Sequence, residues 1–280
     1  MTEVHDQSYR RYAGPRETRR GIWAVVASAG IRSLLRQRKF LLLLLVAWAP
    51  FVVRVVQIYL AANFPQVTLL TPTAETFREF LDTQGLFVFF VTIYVGAGLI
   101  ANDRRTNALQ IYLSKPITRV EYVAGKLAIL MAFLLLVTWV PGVTLLLVQV
   151  MLAGSLSFLR VHLFLLPAIT LFAFFQVALA SFTMLALSSL SKSSRYAGVL
   201  YAGAVIFSDA VFGVLRQVTG GTGVSWVSIP ANLSVIGDLI FRQPLRFETP
   251  WGVSLAVILG LFLVSGWVLE RRVRGIEVVG

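Results

Sequence analysis

The sequence predicts an all-α membrane protein with six transmembrane helices. Hydrophobic residues make up 57% of the 280 residues and charged residues only 14%, whereas soluble domains carry about 25% charged residues. The apolar residues are grouped into runs that meet or nearly meet the length needed to cross a hydrocarbon core about 30 Å thick. These runs are residues 40–63, 85–101, 123–152, 163–190, 197–215 and 251–269.

The region before the first span is polar and basic. Residues 1–20 are predicted to form a basic tail, and residues 21–280 one membrane domain that contains all six spans. Residues 21–39 combine Trp23 and other apolar side chains with arginines toward their end, which is typical of a helix lying in the membrane interface. A cytosolic extension of the first span fits the same pattern. The apolar run from Phe40 starts too late and is too long for a cleaved signal peptide, so this span should be retained.

The basic residues predict the orientation of the chain in the membrane. An even number of spans puts both termini on one side. Placing the N-terminus inside leaves 19 of the 25 Lys and Arg residues in inner segments and five in outer segments. Inner loops of membrane proteins carry such an excess, so we expect a multi-pass protein of the cell's inner or plasma membrane with both termini cytoplasmic. The net charge of +12 then faces anionic lipid headgroups, and no nucleic-acid partner is expected.

A polar loop at residues 102–126 separates the second and third spans. A segment this rich in Arg, Lys, Asp and Asn cannot lie in hydrocarbon. Residues 108–113 place apolar side chains on one face of a short helix, and Pro116 ends it because the residue before a proline avoids helical geometry. A short amphipathic helix held between two spans at a membrane surface is predicted to be a contact element.

The motifs in this loop resemble those of a known family. Asp103 lies in the turn that ends the second span, and residues 113–116 read Leu-Ser-Lys-Pro. Residues 118–126 give a Thr-Arg step, a tyrosine and the Gly-Lys pair that opens the third span. This order resembles the permease subunits of type-2 ABC transporters, in which the loop forms a coupling helix that docks into a groove of the ATPase subunit. The residues that the resemblance assigns to this contact are Asp103, Arg104, Arg105, Leu109, Ile111, Tyr112, Leu113, Lys115, Pro116 and Arg119.

The resemblance implies the transmembrane subunit of an ATP-driven exporter, with an ABC ATPase subunit and a second permease copy, identical or related, as partners. The sequence has no G-x-x-x-x-G-K-[ST] phosphate loop. We therefore expect the chain to be no enzyme and to bind no cofactor, with ATP and Mg²⁺ held by the partner ATPase. An ion-coupled secondary carrier and a non-transporting assembly or scaffold subunit are the alternatives.

The segment between the fifth and sixth spans, residues 217–249, is predicted to form an outer re-entrant or interfacial hairpin. It is rich in glycine and proline and contains an apolar stretch at residues 233–241. That stretch is too short to span the membrane and too apolar for a free loop. Members of the family that the loop resembles often carry short re-entrant helices at this place.

Two charged residues lie within predicted spans, and both need compensation. Arg54 is 14 residues into the first span and Asp209 is 12 residues into the fifth, which places them at similar depth at 1.5 Å per residue. An uncompensated charge there is costly. The hypothesis is that Arg54 and Asp209 form an ion pair, within one copy or across a dimer. In the alternative, Arg54 extends alone toward the interface.

Other function classes lack the residues they need. The histidines are His5, in the tail, and His162, at one end of the fourth span, so a membrane serine protease lacks its base. No cluster of metal-ligating residues occurs, and no metal site or catalytic residue is predicted. A single aspartate within the spans, without an internal repeat, weighs against an ion-coupled carrier.

Overall fold

The computed structural model describes residues 21–64, 71–108, 117–152, 158 and 161–273. Every regular element in this part of the chain is helical, and six helices are long and apolar enough to cross a membrane, which confirms the predicted all-α fold and span number. These spans, numbered in chain order, are Arg38–Asn63, Ala74–Arg105, Arg119–Leu152, Leu165–Leu190, Ser194–Thr219 and Trp251–Arg272.

Spans 1 and 3 are each built from two helices that meet near a proline. The helix Arg38–Ala47 gives way to Ala49–Asn63 just before Pro50, and Arg119–Val137 gives way to Trp139–Leu152 just before Pro141. Proline has no backbone N–H to donate and crowds the preceding turn. The interruptions therefore lie where the sequence places prolines.

Span 2 begins earlier than the hydropathy predicts. Its first helix runs Ala74–Val91, starting 11 residues before the predicted start at Gly85, and Thr73 and Thr76 cap its N-terminus reciprocally. The early turns carry Arg78 and three acidic residues, which lower the hydropathy of a segment that is nonetheless helical. A π-helical turn at Thr92–Gly96 and a short helix at Ala101–Arg105 complete the span.

The middle spans form the core of the bundle. In the most apolar part of spans 3 and 4, 56% of the residues are buried, against 17% in spans 1 and 5. One buried cluster, which includes Phe40, Tyr122 and Met184, lies toward the loop between spans 2 and 3. A second, with Phe77 and Phe172, lies toward the opposite end. Spans 1 and 5 therefore lie at the periphery of the chain.

Two shorter helices pack against the spans. The helix Ile22–Leu35 lies on the start of span 3, where Gly125 permits close approach: a Cβ atom there would be 2.9 Å from the carbonyl oxygen of Trp23. The second helix, Ile229–Ile240, lies between spans 5 and 6 and contacts span 6. Their placement at a membrane interface and in a re-entrant hairpin stays a prediction.

Candidate functional site

The two sides of the 102–126 loop are joined by a buried ion pair. We call this end of the bundle the loop end, and the end with residues 225–249 the hairpin end. At the loop end, Lys126 Nζ lies 2.6 Å from Asp103 Oδ2, and their side chains are only 10% and 18% exposed. The hydroxyl of Tyr122 donates to the same carboxylate oxygen at 2.7 Å. Asp103 belongs to span 2 and both of its partners to span 3, so the spans are held together where the loop leaves and re-enters the bundle.

Local sequence explains how the two partners reach Asp103. Thr118 and Glu121 form a capping box that starts span 3: the backbone N–H of Glu121 donates to the Thr118 hydroxyl, and the backbone N–H of Thr118 donates to the Glu121 carboxylate. This fixes the first turn of the helix. Tyr122 and Lys126 are four residues apart and therefore share one helix face, which is the face toward span 2.

The arginines predicted to contact an ATPase lie in different surroundings. Arg104 is half-buried and donates to the backbone carbonyl oxygen of Ser189, which ties span 2 to the end of span 4. Arg105 and Arg119 are exposed. The other predicted contact residues lie outside the described part of the chain, and they are Leu109, Ile111, Tyr112, Leu113, Lys115 and Pro116.

Span 2 is interrupted just before it reaches the loop, and span 4 supports the interruption. The Ser188 hydroxyl accepts hydrogen bonds from the backbone N–H groups of Ile100 at 3.2 Å and Ala101 at 3.0 Å. The same hydroxyl donates to the carbonyl oxygen of Ala97 at 2.8 Å. These bonds satisfy backbone groups that the π-helical turn and the following turn leave without helical partners. The last turn of span 2 is thus held by span 4.

A charged network at the hairpin end was missed by the sequence reasoning, which placed Arg78 in an outer loop. The Arg78 side chain is fully buried and pairs with Asp82 and, at 3.2 Å, with Asp238. Its guanidinium donates to the Ser234 carbonyl oxygen at 3.0 Å and lies 4.7 Å from the centre of the Phe172 ring. The buried arginine therefore links span 2, span 4 and the helix Ile229–Ile240.

Arg246 completes this network. Its guanidinium lies 2.6 Å from Asp82 Oδ2 and 3.3 Å from Asp238 Oδ1. Burial raises the pKa of Asp238 above its usual value, against the opposing effect of Arg78. Burial lowers the pKa of Arg246, but the nearby carboxylates of Asp82, Asp238 and Glu79 together outweigh it and the net shift is upward. A sequence signal existed, because charged residues recur three and four positions apart from residue 75 to residue 82, as on one helix face.

The hypothesis that Arg54 pairs with Asp209 is wrong within a single chain. Arg54 forms an ion pair with Glu79 at 2.9 Å and donates to Gln57 at 2.8 Å. Asp209 instead accepts a hydrogen bond from the Ser228 hydroxyl at 2.8 Å. Because span 2 starts at Ala74 and not at Gly85, Glu79 lies on a membrane-crossing helix. Its carboxylate is the partner of Arg54 in place of Asp209. A pairing across two copies stays a prediction.

Neither end of the bundle offers a metal site in the described ranges, which contain no group of three or more His, Cys, Asp or Glu side chains placed to hold an ion. Several charged residues instead form ion pairs between helices, as at Asp103 with Lys126 and at Arg78 with Asp238. What the structure brings together is a set of rigid connections between spans at both ends of the bundle.

Comparison with protein families identifies the family to which this membrane protein belongs. The family model described as ABC-2 family transporter protein matches residues 24–223, which include most of the N-terminal helix and spans 1 to 5. No curated protein matches the chain. The match covers well over half of a chain that has six membrane-crossing helices. This multi-pass membrane protein therefore belongs to the ABC-2 family of transporter proteins, the type-2 ABC permeases.

Proposed function

We propose that this chain is the transmembrane subunit of an ATP-driven ABC exporter, coupled through residues 102–119 to a separate ATPase subunit that holds ATP and Mg²⁺. Family membership implies a partner ATPase. In the proposed mechanism, two permease copies enclose the substrate pathway. Closure of the ATPase subunits around ATP pushes on the loop, and the spans carry that motion into the membrane.

The observation that carries the proposal is the ion pair of Asp103 with Lys126. A loop joined to two independent helices would absorb a push by bending at its ends. Here the two spans are tied directly beside the loop, and Arg104 adds a bond from span 2 to span 4. In the proposed mechanism a displacement of the loop therefore reaches three spans, because coupling between distant sites is carried by packed side chains and by networks of ion pairs and hydrogen bonds.

The interruption in span 2 supports the same mechanism. Helical turns of the π type occur frequently at functional sites, and this one lies between the loop end and the long first helix of the span. Because Ser188 holds the turns after it, the last turn of span 2 moves together with span 4 in the proposed mechanism.

The test is affinity purification of the chain from its native membrane, followed by an assay of Mg²⁺-dependent ATP hydrolysis in the eluate. Because the chain has no phosphate-binding loop, this activity reports the partner. The variant with Leu109→Glu and Tyr112→Glu should lose the activity. The matched control, Val218→Glu with Leu245→Glu, charges two exposed apolar side chains at the hairpin end and should retain it.

Two outcomes would contradict the proposal. If the loop variant retained the ATPase as well as the control does, residues 102–119 would not be the docking element. If the unaltered chain brought no ATP hydrolysis with it, an ion-coupled carrier or a non-transporting scaffold subunit would be favoured. Efflux of substrate driven by an ion gradient through the purified chain would support the carrier.

A further inference from the structure

The connection between the helix Ile22–Leu35 and span 1 carries a group of exposed cations. We call residues 32–39 the basic junction. Within it, Gln37 has an extended backbone, with φ −89° and ψ 110°, and span 1 starts at the next residue. The four basic side chains of the junction are all exposed, and they are Arg32, Arg36, Arg38 and Lys39. A break between two helices therefore concentrates four positive charges where a membrane-crossing helix begins.

The chain supplies no acidic partner for these cations in the residues that the structure describes. Every ion pair found there joins other side chains. Residues 18–74 contain no Asp or Glu. At the same end of the bundle, Asp103 is paired with Lys126, and Glu121 caps span 3. Because like charges repel one another, a group of unpaired cations favours the approach of an anion.

Exposed leucines continue from the cations along span 1. Leu42 follows Arg38 by four residues and Lys39 by three, so these side chains lie on one face of the helix. Leu42 is 63% exposed and Leu45 is 72% exposed. Leu45 lies about 11 Å along the helix from Arg38. A face with cations at one end and exposed leucines along its length is complementary to a molecule with an anionic head and an apolar chain.

Contacts with spans 2 and 3 fix the backbone of the basic junction. Gln37 Oε1 accepts a hydrogen bond at 3.2 Å from the hydroxyl of Tyr94, which lies in the π-helical turn of span 2. The buried ring of Phe40 stacks on Tyr94 with centroids 5.5 Å apart and meets the ring of Phe133 edge-on at 4.7 Å. A ligand of the junction therefore binds a backbone that is already ordered, which lowers the entropic cost of binding.

The position of the junction favours a lipid over a soluble anion. Lys39 directly precedes the apolar run that starts at Phe40, so the cations lie at the boundary of the hydrocarbon core, next to the lipid headgroups. The loop end is predicted to face the cytoplasm, where the membrane leaflet carries anionic lipids. A soluble phosphate would neutralise the cations but would leave the leucines of span 1 uncovered.

We propose that the basic junction is a binding site for an anionic phospholipid. The phosphate-containing head lies against the four cations, and an acyl chain lies along Leu42 and Leu45. The site should therefore prefer anionic lipid more strongly than other basic parts of the loop end do. The proposal requires the chain and a bilayer, and it does not rest on coupling to an ATPase.

The probes are phosphatidylglycerol and phosphatidylcholine that carry the same acyl chain with a photoreactive diazirine. The full-length chain, purified without an ATPase, is placed in phosphatidylcholine nanodiscs that contain one of the probes. After irradiation, labelled residues are identified by mass spectrometry. The quantity measured is the ratio of phosphatidylglycerol to phosphatidylcholine labelling at Leu42 and Leu45.

This ratio is divided by the same ratio at a reference surface on span 6. Leu263 and Val264 provide that surface, because they are 74% and 60% exposed and their helix ends in two exposed arginines, Arg271 and Arg272, beside Glu270. The normalised ratio should be about five or more, since each cation near an anionic membrane surface favours binding by about fivefold.

Three double variants make the test specific. Arg38→Gln with Lys39→Gln should remove most of the preference for phosphatidylglycerol. Arg38→Lys with Lys39→Arg keeps both charges and should retain the preference. Arg271→Gln with Arg272→Gln also removes two exposed cations from the loop end and should not lower the normalised ratio. Because all of these side chains are exposed, the unfolding midpoints of the variants should stay close to that of the unaltered chain.

A normalised ratio near one in the unaltered chain would overturn the proposal, because the junction would then attract anionic lipid no better than the end of span 6. An unchanged ratio in Arg38→Gln with Lys39→Gln would overturn it as well. Loss of the preference in millimolar glycerol 3-phosphate would show a site for a soluble phosphate in place of a lipid. None of these results would change the outcome of the ATPase co-purification, so the two proposals fail separately.

Discussion

Asp103 and Lys126 are 23 residues apart in the chain, yet their charged atoms lie 2.6 Å from each other, nearly enclosed by protein. Together they close the base of a loop whose central residues lie beyond the described structure. Removing two charges from water is costly, and such a pair is favourable only with good geometry and further hydrogen bonds. The hydroxyl of Tyr122 supplies one of these. The arrangement fixes how spans 2 and 3 lie relative to each other.

This geometry predicts strong coupling between the two charges. Lys126→Met should lower the free energy of unfolding by about 3 kcal/mol, because it leaves Asp103 buried without its cation. Adding Asp103→Asn should restore much of the loss, since both charges are then absent. Thermal unfolding of the single and double variants in detergent measures the coupling as a double-mutant cycle. Strictly additive effects would show that the two residues act independently.

The contact between the N-terminal helix and span 3 gives a second prediction. Gly125→Ala should destabilise the protein by about 1–3 kcal/mol, because the new Cβ atom would lie 2.9 Å from Trp23 O and 2.9 Å from Val26 Cβ. Gly260→Ala in span 6 is the control: nothing lies within 4 Å of its Cβ position, and alanine is the better helix former. Unfolding midpoints of the two variants should shift in opposite directions, or only Gly125→Ala should shift. Equal shifts would mean that the close approach carries no steric constraint.

The span number could be predicted from the sequence, but hydropathy alone could not give the true start of span 2. A run of about 20 apolar residues has few structural alternatives, so all six spans were found. The first turns of span 2 contain Arg78 and Asp82, which hydropathy assigns to a loop. Their other partners, Asp238 and Arg246, lie over 150 residues further along the chain. No local pattern shows that a buried arginine will be neutralised from that distance.

The ion pair of Asp103 with Lys126, which the sequence analysis did not propose, and the hypothesised pair of Arg54 with Asp209 differ in how the chain brings the residues together. Asp103 and Lys126 flank the loop between antiparallel spans, so chain connectivity brings them near each other. Arg54 and Asp209 were matched by depth along their helices, but depth does not specify which way a side chain faces. The structure gives Arg54 the carboxylate of Glu79, which the sequence had placed outside the membrane. A long-range pair requires the packing of the spans, and hydropathy does not supply it.

The orientation of the chain can be tested with single cysteines, because the native sequence contains none. Arg105→Cys lies at the loop end and Leu245→Cys at the hairpin end, and both positions are exposed. A membrane-impermeant maleimide added to intact cells should label Leu245→Cys and not Arg105→Cys, since the basic loop is predicted to be cytoplasmic. Both should react after the cells are opened. Labelling of Arg105→Cys in intact cells would reverse the orientation and remove the basis for ATPase docking.

The charged network at the hairpin end predicts how stability responds to pH. Burial raises the pKa of Asp238 in the folded protein, while the unfolded chain keeps a value near 4. Between these two values the folded protein binds more protons than the unfolded chain, so the contribution of Asp238 to stability falls as pH rises through the folded pKa. Asp238→Asn removes this titration but keeps the shape of the side chain.

The unfolding midpoint of the unaltered protein, minus that of Asp238→Asn, should therefore decrease as the pH is raised from 4 to 8. Glu75→Gln, which removes an exposed carboxylate from the start of span 2, corrects for the simple loss of one negative charge. If this difference in unfolding midpoint increased with pH instead, the pKa of Asp238 would be lowered in the folded protein. The charges of Arg78 and Arg246 would then outweigh desolvation, and Asp238 would stabilise the hairpin end mainly as a carboxylate.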